Sequence, residues 1–365
     1  MLTRRSVLAA ALAAAASPAT IRAAGLDRLK EGGIRRIAFG SCAKQWKQQP
    51  IWDVVRAQDP DLFLFLGDAI YGDWHGGNVF APTADSLRAD WAQLASIPEF
   101  SRFRDQVPIV ATWDNHDYGK HAGGAEFELT EVSKQIFLDF FSEPTGSDRR
   151  TRPGIYDVLL FGEPGRRIQI IMLDGRSFKD PYIPDMRTKA TKSALGIRGQ
   201  YLPNTDPAAT LLGVAQWSWL EDLLRQPAEV RLICSGTQIV ADQKGMEEWG
   251  NFPHERRRLF ELIASTGANG VVFLSGNVHF SEISATGEGP YRLFDFTSSG
   301  MTHNTPEYAV LRNRRRVSGP FAGFNFGMIE LNWNAPGGGE IVMTSMDASG
   351  QPMLTCAVQI QDLRH

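Results

Sequence analysis

The chain has 365 residues, 43% hydrophobic and 22% charged, which excludes a disordered or collagen-like polymer and leaves room for one large domain or two modest ones. A formal net charge of −3 gives no global field that would favour nucleic acid. Three widely spaced cysteines, Cys42, Cys234 and Cys356, exclude a disulfide framework, since at most one bridge can form and one thiol must stay free.

The first stretch, "LTRRSVLAAALAAAASPATIRAAG", holds an Arg pair, a short Ala/Leu run and then small residues. This is the pattern of a signal peptide, because the apolar part is too short and too Ala-rich for a membrane span. Arg4–Arg5 after Thr3 resembles a twin-arginine signal, a route that carries folded proteins. Residues 1–24 are therefore expected to be a twin-arginine-type signal and 25–365 a single domain, exported to the periplasm by that machinery. No later segment reaches spanning length, so no transmembrane anchor is expected.

After the signal, "IRRIAFGSC" reads as a strand, "QPIWDVVRAQ" as a helix and "PDLFLFLGD" as a second, buried strand. Helical patterns follow at 85–95 and 99–104, and "VPIVATWD" is a third strand ending at Asp114. "EVSKQIFLDFF" is helical; "GIYDVLLFG" and "RRIQIIMLD" form an antiparallel pair around "GEPGR". Residues 175–212 hold several Pro and little predicted secondary structure, so this stretch is expected to lie over a functional site or to move. Helix–strand alternation then resumes with "GVAQWSWLEDLLRQ", "EVRLICSG", "FPHERRRLFELIAST" and "NGVVFLSGN". "SEISATG", "YRLFDFTSS", "FNFGMIELNW", "EIVMTSMD" and "MLTCAVQI" close the chain as strands. Near-continuous apolar strands alternating with helices predict buried sheets. The expected architecture is a four-layer α/β/β/α sandwich of two mixed β-sheets flanked by helices; the alternative is one long doubly wound sheet with a β appendage. The basic run "RNRRR" from Arg312 to Arg316 reads as a solvated loop, though an anionic substrate could still feel it.

Ligands of open α/β sheets sit beyond the carboxyl ends of the strands. There the sequence places Cys42, Asp68, the run Asp114-Asn115-His116-Asp117, Asp174 with Arg176, Asn277-Val278-His279, and Ser298-Ser299-Gly300. Thiolate, carboxylate, amide and imidazole together make a metal-ligand set. A lone strand-end Asp often caps a helix, and a lone Cys is usually a small buried hydrophobe. Five strands ending in polar residues favour a metal, which would compensate the buried charge of Asp68 and ligate Tyr71 as a phenolate. His116, flanked by Asn115 and Asp117, suits a general acid. His75 and His121 are weaker candidates, and His254 and His365 read as structural or solvated.

"FGSC", "PDLFLFLGDAIYGD", "ATWDNHDYG", "FLDFFSEP", "LDGRSF", "QWSWLEDLL", "FLSGNVHFSEI" and "FTSSGMTH" occur in this order. Over roughly residues 35 to 360 the chain resembles the alkaline phosphatase D (PhoD-like) family of the calcineurin-like metallophosphoesterases. The resemblance implies a metallophosphatase-like fold and a metal cluster, iron with calcium, with zinc or manganese as alternatives. It implies Asp68 as the bridging carboxylate, Cys42 and Tyr71 as iron-side ligands, and Asn115, Asn277 and His279 as further ligands. It implies His116 as the catalytic acid and Arg176 as the side chain holding a phosphoryl oxygen. Asp114, Asp117 and His303 fall where they would support the site or touch substrate. Relatives usually read Gly-Asp-x-His where this chain has Gly276-Asn277-Val278-His279, so the cluster would carry one carboxylate fewer and hold trivalent iron less tightly. Their N-terminal β domain is expected to be absent here.

The expected activity is metal-assisted hydrolysis of small phosphomonoesters or phosphodiesters, a cation-bound hydroxide attacking phosphorus and His116 protonating the leaving oxygen. No nucleic-acid partner is expected except as substrate. One rival is a binding-only pseudo-phosphatase in which Asn277 is the lost ligand. A glycoside hydrolase using Asp68, Asp114 and Asp117 is the other, and it leaves Cys42, Tyr71 and His279 unexplained.

Overall fold

The computed structural model describes residues 25–30 and 33–365; the signal-like stretch 1–24 lies outside the described residues. The first sheet opens with β1 (Arg36–Gly40), β2 (Leu62–Leu66) and β3 (Ile109–Thr112), paired in parallel. The second takes the next seven strands: β4 (Asp157–Phe161), β5 (Ile168–Met172), β6 (Val230–Ser235), β7 (Val271–Ser275), β8 (Ser281–Thr286), β9 (Leu293–Ser298) and β10 (Arg316–Phe321). The chain then returns to the first sheet with β11 (Asn325–Asn332), β12 (Glu340–Asp347) and β13 (Pro352–Gln359). The spatial orders are 13-12-11-1-2-3 and 10-8-9-7-6-5-4. Both sheets are mixed: β11 runs antiparallel to β1, while β5, β6, β7 and β9 are parallel neighbours and β8 is antiparallel to β9.

The apolar runs explain the layering. All five residues of β2 and all five of β7 are buried, as strands covered on both faces must be. On one face of the first sheet Phe63, Phe65 and Ala111 pack with Trp52, Trp91 and Phe137 of the covering helices. Trp52 is fully enclosed, its ring 5.0 Å from both Phe100 and Phe103. The other face sends Phe39, Leu64 and Val110 into the core shared with the second sheet, where Phe39 meets Phe296 edge-on at 4.9 Å. Helices Gly213–Leu224 and Pro253–Thr266 add Trp217, Leu220, Leu259 and Ile263 to that core. The four-layer α/β/β/α sandwich is the architecture, not the single long sheet.

Three local expectations change. The 175–212 stretch contains a helix, Lys189–Leu195, and a small ribbon pairing Ile183–Pro184 with Tyr201–Leu202. Thr188 starts that helix, its hydroxyl accepting the Thr191 N–H at 3.2 Å. β3 stops at Thr112, and Asp114 instead caps the short helix Asn115–Tyr118 in a capping box with Asp117. The basic run is only half solvent-facing: Arg315 pairs with Asp242 and Glu288, and Arg316 opens β10 with its Nε 2.6 Å from Glu282. The three cysteines are free, and among the described residues no helix is long and apolar enough to cross a membrane.

Candidate metal centre and active site

Strand ends reach the rim through strained turns. Cys42, Asp68, Asn277 and His279 all have left-handed backbones, with φ of 64°, 53°, 73° and 62°. Each costs about 1–2 kcal/mol for a side chain bearing Cβ and persists only where its surroundings dictate it. Two glycines make the approach possible. A Cβ on Gly67, at φ 87°, would lie 2.6 Å from the Asp114 nitrogen, and one on Gly276 would lie 2.7 Å from the Leu66 carbonyl. So β2, β7 and the Asp114 loop converge because nothing larger than hydrogen stands between them.

The convergence brings Cys42, Asp68 and His279 together, with ligand atoms within 4.8 Å of one another. Cys42 Sγ lies 3.3 Å from Asp68 Oδ2 and 3.1 Å from Ser299 Oγ. A row of rings crosses the centre: His121, His116, Tyr71, His303, His279 and Tyr308, with successive centroids 5.9, 4.1, 5.3, 4.2 and 6.0 Å apart. Tyr71 Oη is 2.9 Å from His303 Nε2, which is 3.2 Å from His279 Nε2. His279 Nδ1 is fixed by Thr305 Oγ1 at 2.9 Å. Asp117 accepts the backbone N–H groups of Asp68, Ile70 and Asp114 and thus ties the two strand ends together.

His116 is held by a residue that strand-end reasoning missed. Its Nδ1 lies 2.6 Å from Oδ1 of the fully buried Asp73. The signal was present in "GDAIYGD", whose second Asp follows Tyr71 by two residues, but only the return of the loop shows which group it meets. Burial alone would lower the His116 pKa, but Asp68 and Asp73 carry it up to about 9. Burial, with His116 and Lys44 beside it, pulls His279 down to about 3, leaving a neutral imidazole. His121 joins Asp73 and His116 in a second group of possible ligands.

The expectation for Arg176 is corrected. The side chain is 1% exposed, and its guanidinium is spent on Asp114 and Glu247, with Nε 2.8 Å from Asp114 Oδ1. A guanidinium facing two buried carboxylates has no free fork for a phosphoryl group. Asn277 reaches the rim, its amide donating to the Glu247 carbonyl at 3.2 Å. Asn115 is buried, and its amide nitrogen lies 3.3 Å from His121 Nδ1.

The donor set fits cations. Asp73 Oδ2, Asp114 Oδ2, Asn115 Oδ1 and His303 Nδ1 are buried around the rim with no hydrogen-bond partner. Such atoms cost about 1–3 kcal/mol each unless something else satisfies them. Burial, then Asp68, raises the Cys42 thiol well above its usual range; burial, then Cys42, does the same to the Tyr71 phenol. A cation reverses that balance by ligating the deprotonated forms.

Two facing mixed sheets with a thiol, carboxylate and imidazole cluster at their rim define a metallophosphatase-like protein. The comparisons narrow this. Residues 37–302 match the family model described as "PhoD-like phosphatase", so the chain belongs to the PhoD-like phosphatase family. Alkaline phosphatase D of Bacillus subtilis (strain 168) is 22% identical over 276 residues, 67% of this chain and 46% of the relative. The chain thus spans about half the length of that curated relative. A solved structure described as PhoD superposes at TM-score 0.67 with 17% identity, over 90% of this chain and 70% of that one. The purple acid phosphatase PPD1 from yellow lupin (Lupinus luteus) seeds follows at TM-score 0.56 and 13% identity, over 90% of this chain and 54% of that one.

Proposed function

We propose that this protein is an exported, metal-dependent phosphoesterase acting on small phosphate esters. The observation that carries the reading is one ring contact: His116, backed by Asp73, stacks at 4.1 Å on Tyr71 beside the Cys42–Asp68–His279 donors. Cys42, Asp68, Tyr71 and His279 would hold one cation and Asp68, Asn115 and Asn277 a second; iron with calcium is our proposal for their identity. Bound cations would lower the pKa of a water and neutralise phosphoryl charge.

This chain's residues then supply the rest. A water oxygen bonds to phosphorus as the bond to the leaving oxygen breaks. His116, with Nδ1 engaged by Asp73, presents Nε2 and donates its proton to that leaving oxygen. Arg176 acts as a positioning residue, fixing Asp114 beneath the helix that carries His116. A trough of about 530 Å³, walled by Val79, Phe80, Pro82, Phe127 and Leu129, meets the site at His121 and suits an apolar leaving group. The twin-arginine-like start supports export of the folded, metal-loaded protein.

The test is elemental analysis of the folded, exported protein together with a panel of nitrophenyl phosphomonoesters and diesters. Bound metal with turnover is expected. Turnover undiminished after complete metal removal would overturn the reading. Metal bound without turnover, alongside phosphate binding, would move it to a pseudo-phosphatase limited by Asn277.

A further inference from the structure

The ring row has two ends, and the second is unlike the first. Beyond His279, Tyr308 opens into a trough of about 690 Å³ formed by the 189–200 segment and the turn at 307–311. Arg198 lies over the Tyr308 ring, its guanidinium carbon 5.3 Å from the centroid. Lys189 and Lys192 line the same trough, and Glu307 is the one carboxylate among its lining residues.

These cations are placed, yet not neutralised. Lys192 Nζ donates to the Asp185 backbone carbonyl at 2.7 Å, while the Asp185 carboxylate is taken by Arg187. Lys189, Arg198 and Arg312 form no ion pair among the described residues, although arginines 315 and 316 of the same basic run do. The wall is built: the Arg198 N–H donates to the Lys244 carbonyl at 2.8 Å, and the Arg312 N–H to the Gly196 carbonyl at 2.7 Å. Positive charge concentrated in a trough raises the local concentration and residence of anions.

We propose that this trough binds a second anionic group of the substrate, so that the preferred ester carries another phosphate beyond the scissile one. The inference rests on the phosphoesterase reading and assigns direction along the site. The alcohol that leaves points toward His116 and His121, and the anionic remainder runs past Tyr308 to Arg198, Lys189 and Lys192. It also gives the 175–212 stretch a task, anion capture, in place of shaping the leaving-group pocket.

Direct binding and turnover separate the two ideas. Alkanediol monophosphates and bisphosphates of increasing chain length are titrated into the metal-loaded protein by calorimetry. The bisphosphate is expected to bind about tenfold more tightly once the chain is long enough, with an advantage that shrinks as salt rises. In the Lys189→Glu/Arg198→Glu variant the advantage should vanish, with hydrolysis of p-nitrophenyl phosphate unchanged. Equal binding of both ligands at every chain length, or an advantage retained in the variant, would overturn the trough even if the protein is an active phosphoesterase. A bisphosphate advantage lost in the variant, with no turnover of any ester, would keep the trough and reject the phosphoesterase reading.

Discussion

Asp73 Oδ1 lies 2.6 Å from His116 Nδ1, joining two residues 43 positions apart in the chain. The pair fixes the tautomer: with Nδ1–H facing a carboxylate, Nε2 is the atom turned to substrate. His116→Ala should therefore reduce kcat by about 10²- to 10⁴-fold with metal content intact. Asp73→Asn should cost less, about 10- to 100-fold. The readout that separates proton donation from mere structure is the leaving group. Both losses should be larger for alkyl phosphates than for nitrophenyl phosphates, since nitrophenolate leaves without a proton. Equal losses across leaving groups would remove His116 from the acid role.

Cys42 and Asp68 stand 3.3 Å apart in left-handed turns that only their shared surroundings sustain. Asp68→Asn and Cys42→Ala should each lower the metal-to-protein ratio measured by elemental analysis and abolish turnover. Full metal content in both variants would place the cations elsewhere.

Asn277 donates its amide to the Glu247 carbonyl at 3.2 Å. Asn277→Asp adds a charged ligand but loses that donor. Iron retention during dialysis against chelator should rise, while the metal-free variant should melt at a lower temperature than the metal-free parent. An unchanged rate of iron loss would show that the side chain does not ligate.

A buried ion pair lies behind the basic trough. Lys244 Nζ and Glu282 Oε1 are 2.8 Å apart with both side chains fully buried. Burial opposes the charge on Glu282, but Lys244 and Arg316 hold its carboxyl down at about 2, below an ordinary value of 4.5. A depressed carboxyl stabilises the fold above its unfolded pKa and loses that contribution as pH falls toward the folded one. About 3 kcal/mol should therefore disappear between pH 4.5 and 2 in denaturant titrations, at the free energy of a shift of that size. Lys244→Met should cost about 3–5 kcal/mol by stranding the carboxylate, and pairing it with Glu282→Met should recover most of the loss. A Lys244→Met cost under ~1 kcal/mol would mean that Gln238 and Arg316 suffice.

The sequence by itself determined the layers and the rim. "LFLFL" and "VVFLS" have no polar face, so they had to lie inside a sheet covered on both sides, and both are wholly buried. Because strand ends are marked by the change from apolar to polar residues, Cys42, Asp68, His116 and His279 were legible as candidates without coordinates. Local periodicity carries that much, since it reports which face of an element meets the core.

Only the tertiary structure decided which side chains were already spoken for. Arg176 follows a strand end as a phosphate-binding arm would, but its partners Asp114 and Glu247 lie 62 and 71 residues away. Asp73 meets His116, and Tyr308 extends the ring row toward Arg198, through loop closures of the same kind. A charged group settles on whichever opposite charge the folded chain brings within hydrogen-bond reach. That pairing depends on three-dimensional distance, which hydrophobic spacing along the chain does not encode.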